Sequence, residues 1–268
     1  LPYTDDKILF ARTLCQQGNT FIPLIKRIVT KIARDAHESS LNSDKLGAVL
    51  LLREMSTLPS LSKHIVPLLK AFAKLEYKLR SSFKTKIRTS DYKDRVDVIN
   101  HAIEGLARFV VVTPGVLNFL WKLMDEGPKD LRDKIGSTLR DVAGYNLGVM
   151  EQVGYDPQKA ILDFLKNASH SSLLQHLDIV CSLCIELLNP SFEVRRMVDW
   201  NTMQLGSGPL PASTELEELR TQVIDLLSST FSSAATTSQR ERLIVALREA
   251  SAPSHFGIPS KEHIRMVL

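Results

Sequence analysis

The sequence predicts an all-α protein built as a stack of antiparallel helix pairs. Three observations predict it. Apolar residues recur at intervals of three and four over most of the 268-residue chain. Ser, Thr or Asp opens many of these stretches, and Gly or Pro closes them. No alternating strand pattern of useful length interrupts them. Composition agrees: 44% of residues are apolar but only 6% aromatic, so Leu, Ile, Val and Ala must fill the core. Such side chains suit interlocking helix ridges better than a β-sandwich.

Six helix pairs follow in order, over about 4–34, 43–79, 90–126, 128–166, 170–203 and 213–249. In the first two, Phe21-Ile22-Pro23-Leu24-Ile25 and Ile65-Val66-Pro67-Leu68-Leu69-Lys70 fall in second helices. In the third, Ile99, Ala102, Ile103, Leu106 and Val110 form an apolar face, with Asp94, Asp97, His101, Glu104 and Arg108 on the solvated side. Thr113-Pro114 opens its second helix, and Gly127-Pro128 closes it. In the fourth pair, Asp156-Pro157 again sets a capping side chain before a proline at the first helical position. In the fifth, 173–188 reads as one helix, apolar on all sides except the stripe Gln175, Asp178, Ser182 and Glu186. Leu177 belongs to its core. The sixth shows Leu216, Leu219, Val223, Leu227 and Phe231 on one face, with capping boxes at Thr214/Glu217 and Ser238/Glu241. Between the last two pairs, 204–212 contains Gly206, Gly208, Pro209 and Pro211, which makes it a candidate hinge, a binding loop or a plain surface connection.

The pair starts are 38 to 47 residues apart, a period shared with HEAT and armadillo repeats. On that spacing, and on the Ile-Val-Pro-Leu-Leu and Phe-Ile-Pro-Leu-Ile stretches, the chain resembles the HEAT/armadillo superfamily over most of its length. The resemblance implies a right-handed α-solenoid, with 1–268 as a single repeat domain. It implies architecture and not function, since that superfamily holds scaffolds, transport receptors, regulators and a few enzymes. Among the enzymes are the HEAT-like alkylpurine DNA glycosylases, which use tryptophans and an aspartate in a basic groove. Trp121 and Asp125 invite the comparison, but the paired-tryptophan-aspartate segment is missing, and Trp121 reads as a core anchor.

Motifs for chemistry are scarce. Neither a phosphate-binding Gly-rich loop nor a nucleophile elbow nor a His-Glu-x-x-His helix occurs. Cys181 and Cys184, with His170 and His176 upstream, have ligand-type side chains for zinc, but on an apolar helix they read as small core residues. The expectation is a non-enzymatic chain with no cofactor, no metal and no small-molecule site. Three cysteines suggest no disulfide framework, the opening Leu1-Pro2-Tyr3-Thr4-Asp5-Asp6 has no signal-peptide pattern, and no apolar run approaches a bilayer span. An intracellular setting, cytoplasmic or nuclear, is therefore expected, with no membrane partner.

Charge singles out a surface. The second helices of the first two pairs hold Lys26, Arg27, Lys31, Arg34, Lys63, Lys70, Lys74, Lys78 and Arg80 against Asp35 and Glu76. The matching first helices are balanced, with Lys7, Arg12, Lys45 and Arg53 against Asp5, Asp6, Asp44 and Glu54. In solenoids of this kind, second helices usually line the concave face. The strip is read as a candidate site for an acidic protein partner, with nucleic acid as the alternative and a merely solvated face as the plain reading. The function expected is protein–protein interaction or regulatory scaffolding. Leu1 in place of methionine, and an amphipathic 261–268 with Ile264, Val267 and Leu268 apolar, further predict a piece of a longer polypeptide.

Overall fold

The computed structural model describes residues 13, 22–39, 41–56, 58–75, 89–110, 112–113, 115–143, 157–188, 198–199, 204–205 and 214–251. Side chains are described for these except at 33, 37, 59, 89–92, 157, 198–199, 204–205 and 214–217. These residues are helical apart from short connections and one two-residue ladder. The chain groups into two compact units, Leu1–Leu139 with Leu147–Asp156, and Arg140–Asn146 with Pro157–Leu268.

In the first unit, α1 (Ile22–Glu38), α2 (Asn42–Met55), α3 (Ser62–Ala73, entered through a 3₁₀ turn at Pro59–Leu61), α4 (Thr89–Ala107) and α5 (Gly115–Glu126) follow in order, with α6 starting at Lys129. The central helix is α4, which packs on α2, α3 and α5, while α1 packs on α2 and α3. Its expected apolar face is buried throughout: Ile99, Ala102, Ile103, Leu106 and Val110 are each at most 1% exposed. Gly105 lets α4 come close to α2 and α3. A Cβ there would sit 2.9 Å from Leu69 Cδ1 and 3.4 Å from the Arg53 Cα. Pro67 lies inside α3 on its exposed side, where a missing N–H is tolerated because water can reach the freed carbonyl. Trp121 is buried on α5 at 6% exposure, as a core anchor should be. Gly127 follows α5 because a side chain would not fit: a Cβ would lie 2.5 Å from the Leu123 carbonyl oxygen. α5 begins at Gly115, with the Val116 N–H donating to the Thr113 carbonyl at 2.9 Å.

α6 is Lys129–Ala143. In the second unit, α7 (Pro157–Asn167) starts at the expected proline; Asp156 lies outside the described residues. The fifth helix pair differs from expectation twice. The single helix over 173–188 is two: α8 (His170–Gln175), capped by Ser169 Oγ accepting from the Ser172 N–H, and α9 (Leu177–Leu187). The break falls at His176, whose φ of −114° and ψ of 33° leave the helical region. No glycine or proline marks it, and the apolar periodicity runs straight through. Of the polar stripe Gln175 and Asp178 are exposed and Ser182 and Glu186 half-buried, whereas Leu173, Leu177, Val180, Cys184 and Leu187 are buried. The second correction is that no helix runs on to 203. Instead β1 (Val198–Asp199) pairs antiparallel with β2 (Gln204–Leu205), Val198 opposite Leu205. The β-branched Val198 favours such a pairing over helix. The candidate hinge thus begins in a ladder, and 206–212 lies outside the described residues.

α10 (Thr214–Ser232) and α11 (Thr237–Ser251) close the second unit as a packed hairpin, and α11 also packs on α9. Lys166 Nζ donates to Gln222 Oε1 at 2.8 Å, Gln158 Nε2 donates to the Leu187 carbonyl at 3.2 Å, and Arg242 pairs with Asp178. The capping box of α11 is real but sits two residues upstream of the expected Ser238/Glu241. Thr236 Oγ1 accepts from the Gln239 N–H, and Gln239 Oε1 accepts from the Thr236 N–H, each at 3.2 Å. The box at Thr214/Glu217 and the segment 261–268 fall outside the described side chains and residues.

Candidate functional site

The basic strip comes apart into two groups when the helices are placed. α1 buries Ile25, Val29 and Ala36, and its remaining faces carry the cations of the strip's first half. Lys26, Arg27, Thr30, Lys31, Arg34 and Asp35 line one side of an open groove of about 580 Å³, and His64 of α3 contributes to the same groove. Two local features build it. α1 begins at Ile22 with Pro23 in its first turn, where the missing N–H costs nothing. The i, i+4, i+7 spacing of Arg27, Lys31 and Arg34 then keeps three cations on one side of the helix.

Electrostatically, the described residues of the groove comprise four permanent cations and one carboxylate, Asp35. Arg27, Lys31, Arg34 and His64 are exposed, and Lys26 is half-buried. Among the described residues, no carboxylate comes within ion-pair distance of Lys26, Arg27, Lys31 or Arg34. Thr30 turns its hydroxyl back on the helix, donating to the Lys26 carbonyl at 2.8 Å. The groove therefore presents unneutralised positive charge at a concave surface, where field lines concentrate and anions are attracted.

The second half of the strip is committed elsewhere. Lys70 Nζ donates to the Gly115 carbonyl at 3.2 Å and stands 5.1 Å from the centre of the Phe119 ring. Lys74 Nζ lies 5.6 Å from the same ring. Both ammonium groups thus tie α3 to the start of α5 by cation–π attraction. Lys63 is exposed on α3 beside His64, while Lys78 and Arg80 lie outside the described residues. The structure thus brings together four of the expected cations and adds His64. The sequence held one sign of that histidine, its place next to Lys63 in the strip.

A second cluster lies on the supposedly solvated side of α4, and here the expectation is corrected. Arg53 of α2 donates from Nη1 to Glu104 Oε2 at 2.9 Å and from Nη2 to Glu54 Oε1 at 3.2 Å. Lys134 of α6 donates to Glu104 Oε1 at 2.6 Å. His101 Nδ1 stands 2.8 Å from Arg53 Nη1 and 3.2 Å from Glu104 Oε2. Unprotonated, that nitrogen accepts from Arg53; protonated, it donates to Glu104. The Glu104 carboxyl is held well below the usual carboxylate range, first by its hydrogen bond to His101 and then by Lys134 and Arg53, against the opposing effect of burial. Arg108 Nη1 donates to the Arg53 carbonyl at 2.7 Å. The charges are half-buried where α2 packs on this face, Lys134 reaches in from α6, and the cluster joins three helices.

The cysteines lie where the core reading put them. Cys184 is buried and Cys181 half-buried on α9. Burial, together with the Asp178 charge, pushes the Cys181 thiol up to about 11, and burial raises Cys184 further. Thiols in that state are poor nucleophiles and poor metal ligands at neutral pH. Among the described residues no three His, Cys, Asp or Glu side chains gather as a metal-binding group, and no helix is long and apolar enough to cross a membrane. Compared with known proteins, the chain matches no family model, no curated protein and no solved structure.

Proposed function

We propose that the chain is a non-enzymatic interaction module that holds an acidic segment of a protein partner in the groove lined by Lys26, Arg27, Lys31, Arg34 and His64. One observation carries the reading: among the described residues, four cations converge on a concave surface with one carboxylate among them. Among the described residues no Phe, Tyr or Trp lines the groove, and single-stranded nucleic acid usually depends on such rings for stacking. That favours carboxylates over nucleotides as the anionic groups. The scaffold is a HEAT/armadillo-type solenoid of paired helices in a single domain. The packing of α4 on α2 supports this, since each is the first helix of its pair, and so does the packing of α1 on α3, each the second helix of its pair.

The test is isothermal titration with poly-glutamate, repeated with single-stranded oligothymidylate over a salt series. The expected result is poly-glutamate binding that is lost in a Lys26→Glu/Arg27→Glu/Lys31→Glu/Arg34→Glu variant. Reversing the exposed Lys122, Lys129 and Arg248 instead should leave binding unchanged. Tighter binding of oligothymidylate, with a steep salt slope through the same residues, would replace the reading with nucleic-acid binding.

A further inference from the structure

Resting on the groove reading, we infer that its occupant is an extended acidic segment with carboxylates at alternate positions and an apolar residue at one end, seated against Leu24. Arg27, Lys31 and Arg34 follow along α1 at rises of about 6 and 4.5 Å. In an extended chain, alternate side chains share one face about 6.7 Å apart. Three alternating carboxylates therefore meet three cations, with the long Lys and Arg stems taking up the difference in pitch. Contiguous carboxylates would turn every second charge away. The groove, about 580 Å³ and open to solvent, leaves an extended segment room to lie along α1.

The two ends of the groove differ, which gives the occupant a direction. Leu24 stands three and seven residues before Arg27 and Lys31, so helical periodicity places it beside them at the N-terminal end. It is 48% exposed, one of the few large apolar side chains on the described surface. At the opposite end Asp35 lines the groove and repels a further carboxylate. An apolar residue at the Leu24 end, followed by acidic ones that stop before Asp35, is complementary to both.

Two end-blocked peptides of equal composition and charge test this, Leu-Ala-Glu-Ala-Glu-Ala-Glu, which puts its Leu and all three carboxylates on one face, and its contiguous isomer Leu-Ala-Ala-Ala-Glu-Glu-Glu, with oligothymidylate as a third ligand. The alternating peptide should bind about fivefold tighter than its isomer, the loss expected from one or two misplaced surface ion pairs. Leu24→Ser should weaken the alternating peptide about threefold, and leave unchanged a peptide whose leading Leu is replaced by Ser. Equal affinity of the two isomers would overturn the alternating register while leaving the groove as an acidic-partner site. Binding of both peptides that is indifferent to Arg27→Gln and Lys31→Gln, exposed positions where the fold should persist by circular dichroism, would overturn the site itself. Oligothymidylate binding tighter than either peptide through those residues would overturn the proposal in favour of nucleic acid.

Discussion

Replacing Glu104 by Gln preserves shape and removes one charge from the point where α2, α4 and α6 meet. The carboxylate accepts from Arg53 at 2.9 Å and from Lys134 at 2.6 Å, with side chains only 24%, 29% and, for Glu104 itself, 23% exposed. Removing one partner of a fully buried pair costs about 3–5 kcal/mol, because a charge is left uncompensated. A fully exposed pair contributes about 0–1 kcal/mol. With a quarter of each group reachable by water, Glu104→Gln should cost about 1.5–3 kcal/mol at pH 7. The pH dependence follows from the depressed carboxyl. Its contribution is fully present above the unfolded value near about 4.3 and is lost as pH falls toward the lower folded value, because the unfolded chain takes up the proton first. Urea titrations of both proteins at pH 7, 5, 4 and 3.5 should show the stability difference constant at the two higher values and narrowing at the two lower ones. A double-mutant cycle with Lys134→Met should give a coupling of at least about 0.5 kcal/mol. A difference that does not change with pH, or a coupling near zero, would refute the cluster as a source of stability.

Three further outcomes follow from the packing. Leu177→Ala should cost about 2–5 kcal/mol by urea denaturation, since Leu177 is only 5% exposed, whereas exposed Gln175→Ala should stay within about 0.5 kcal/mol of neutral. Gly127→Ala should destabilise by about 1–2 kcal/mol despite alanine's better helix propensity, because the obstructing atom, the Leu123 carbonyl oxygen at 2.5 Å, belongs to the backbone and cannot swing aside. Thr236→Ala should cost about 1 kcal/mol and speed amide exchange at Gln239, whose N–H loses its acceptor, while Ser238→Ala, outside the box, should do neither.

Helix positions were largely legible in the sequence, because periodicity and punctuation are local. α2, α4, α6, α8 and α10 each start within about two residues of the expected pair boundaries, inside the usual uncertainty of helix ends. The exceptions are also local. At His176 the apolar pattern continues through a backbone break, and at Val198–Asp199 a strand stands where helix was expected. The capping box of α11 was misplaced because Thr236/Gln239 and Ser238/Glu241 both match the same pattern. What stayed hidden depends on which helices meet. Glu104 looked solvated until α2 packed on its face with Arg53 and Lys134 reached in from α6. Lys70 and Lys74 read as free cations until Phe119 was found beneath them. The groove was half legible: α1's cations were visible as a strip, but His64 joins them only through the packing of α1 on α3.

The claim that the α1–α3 groove holds an acidic partner is tested most directly by an NMR titration of the ¹⁵N-labelled chain with poly-glutamate. The account predicts saturable amide shifts confined to the stretch around Lys26, Arg27, Lys31 and Arg34 and to the neighbourhood of His64, with Lys70, Lys74 and α9 to α11 unmoved. Shifts centred on Lys70 and Lys74, or scattered over basic residues of both units without saturation, would contradict it.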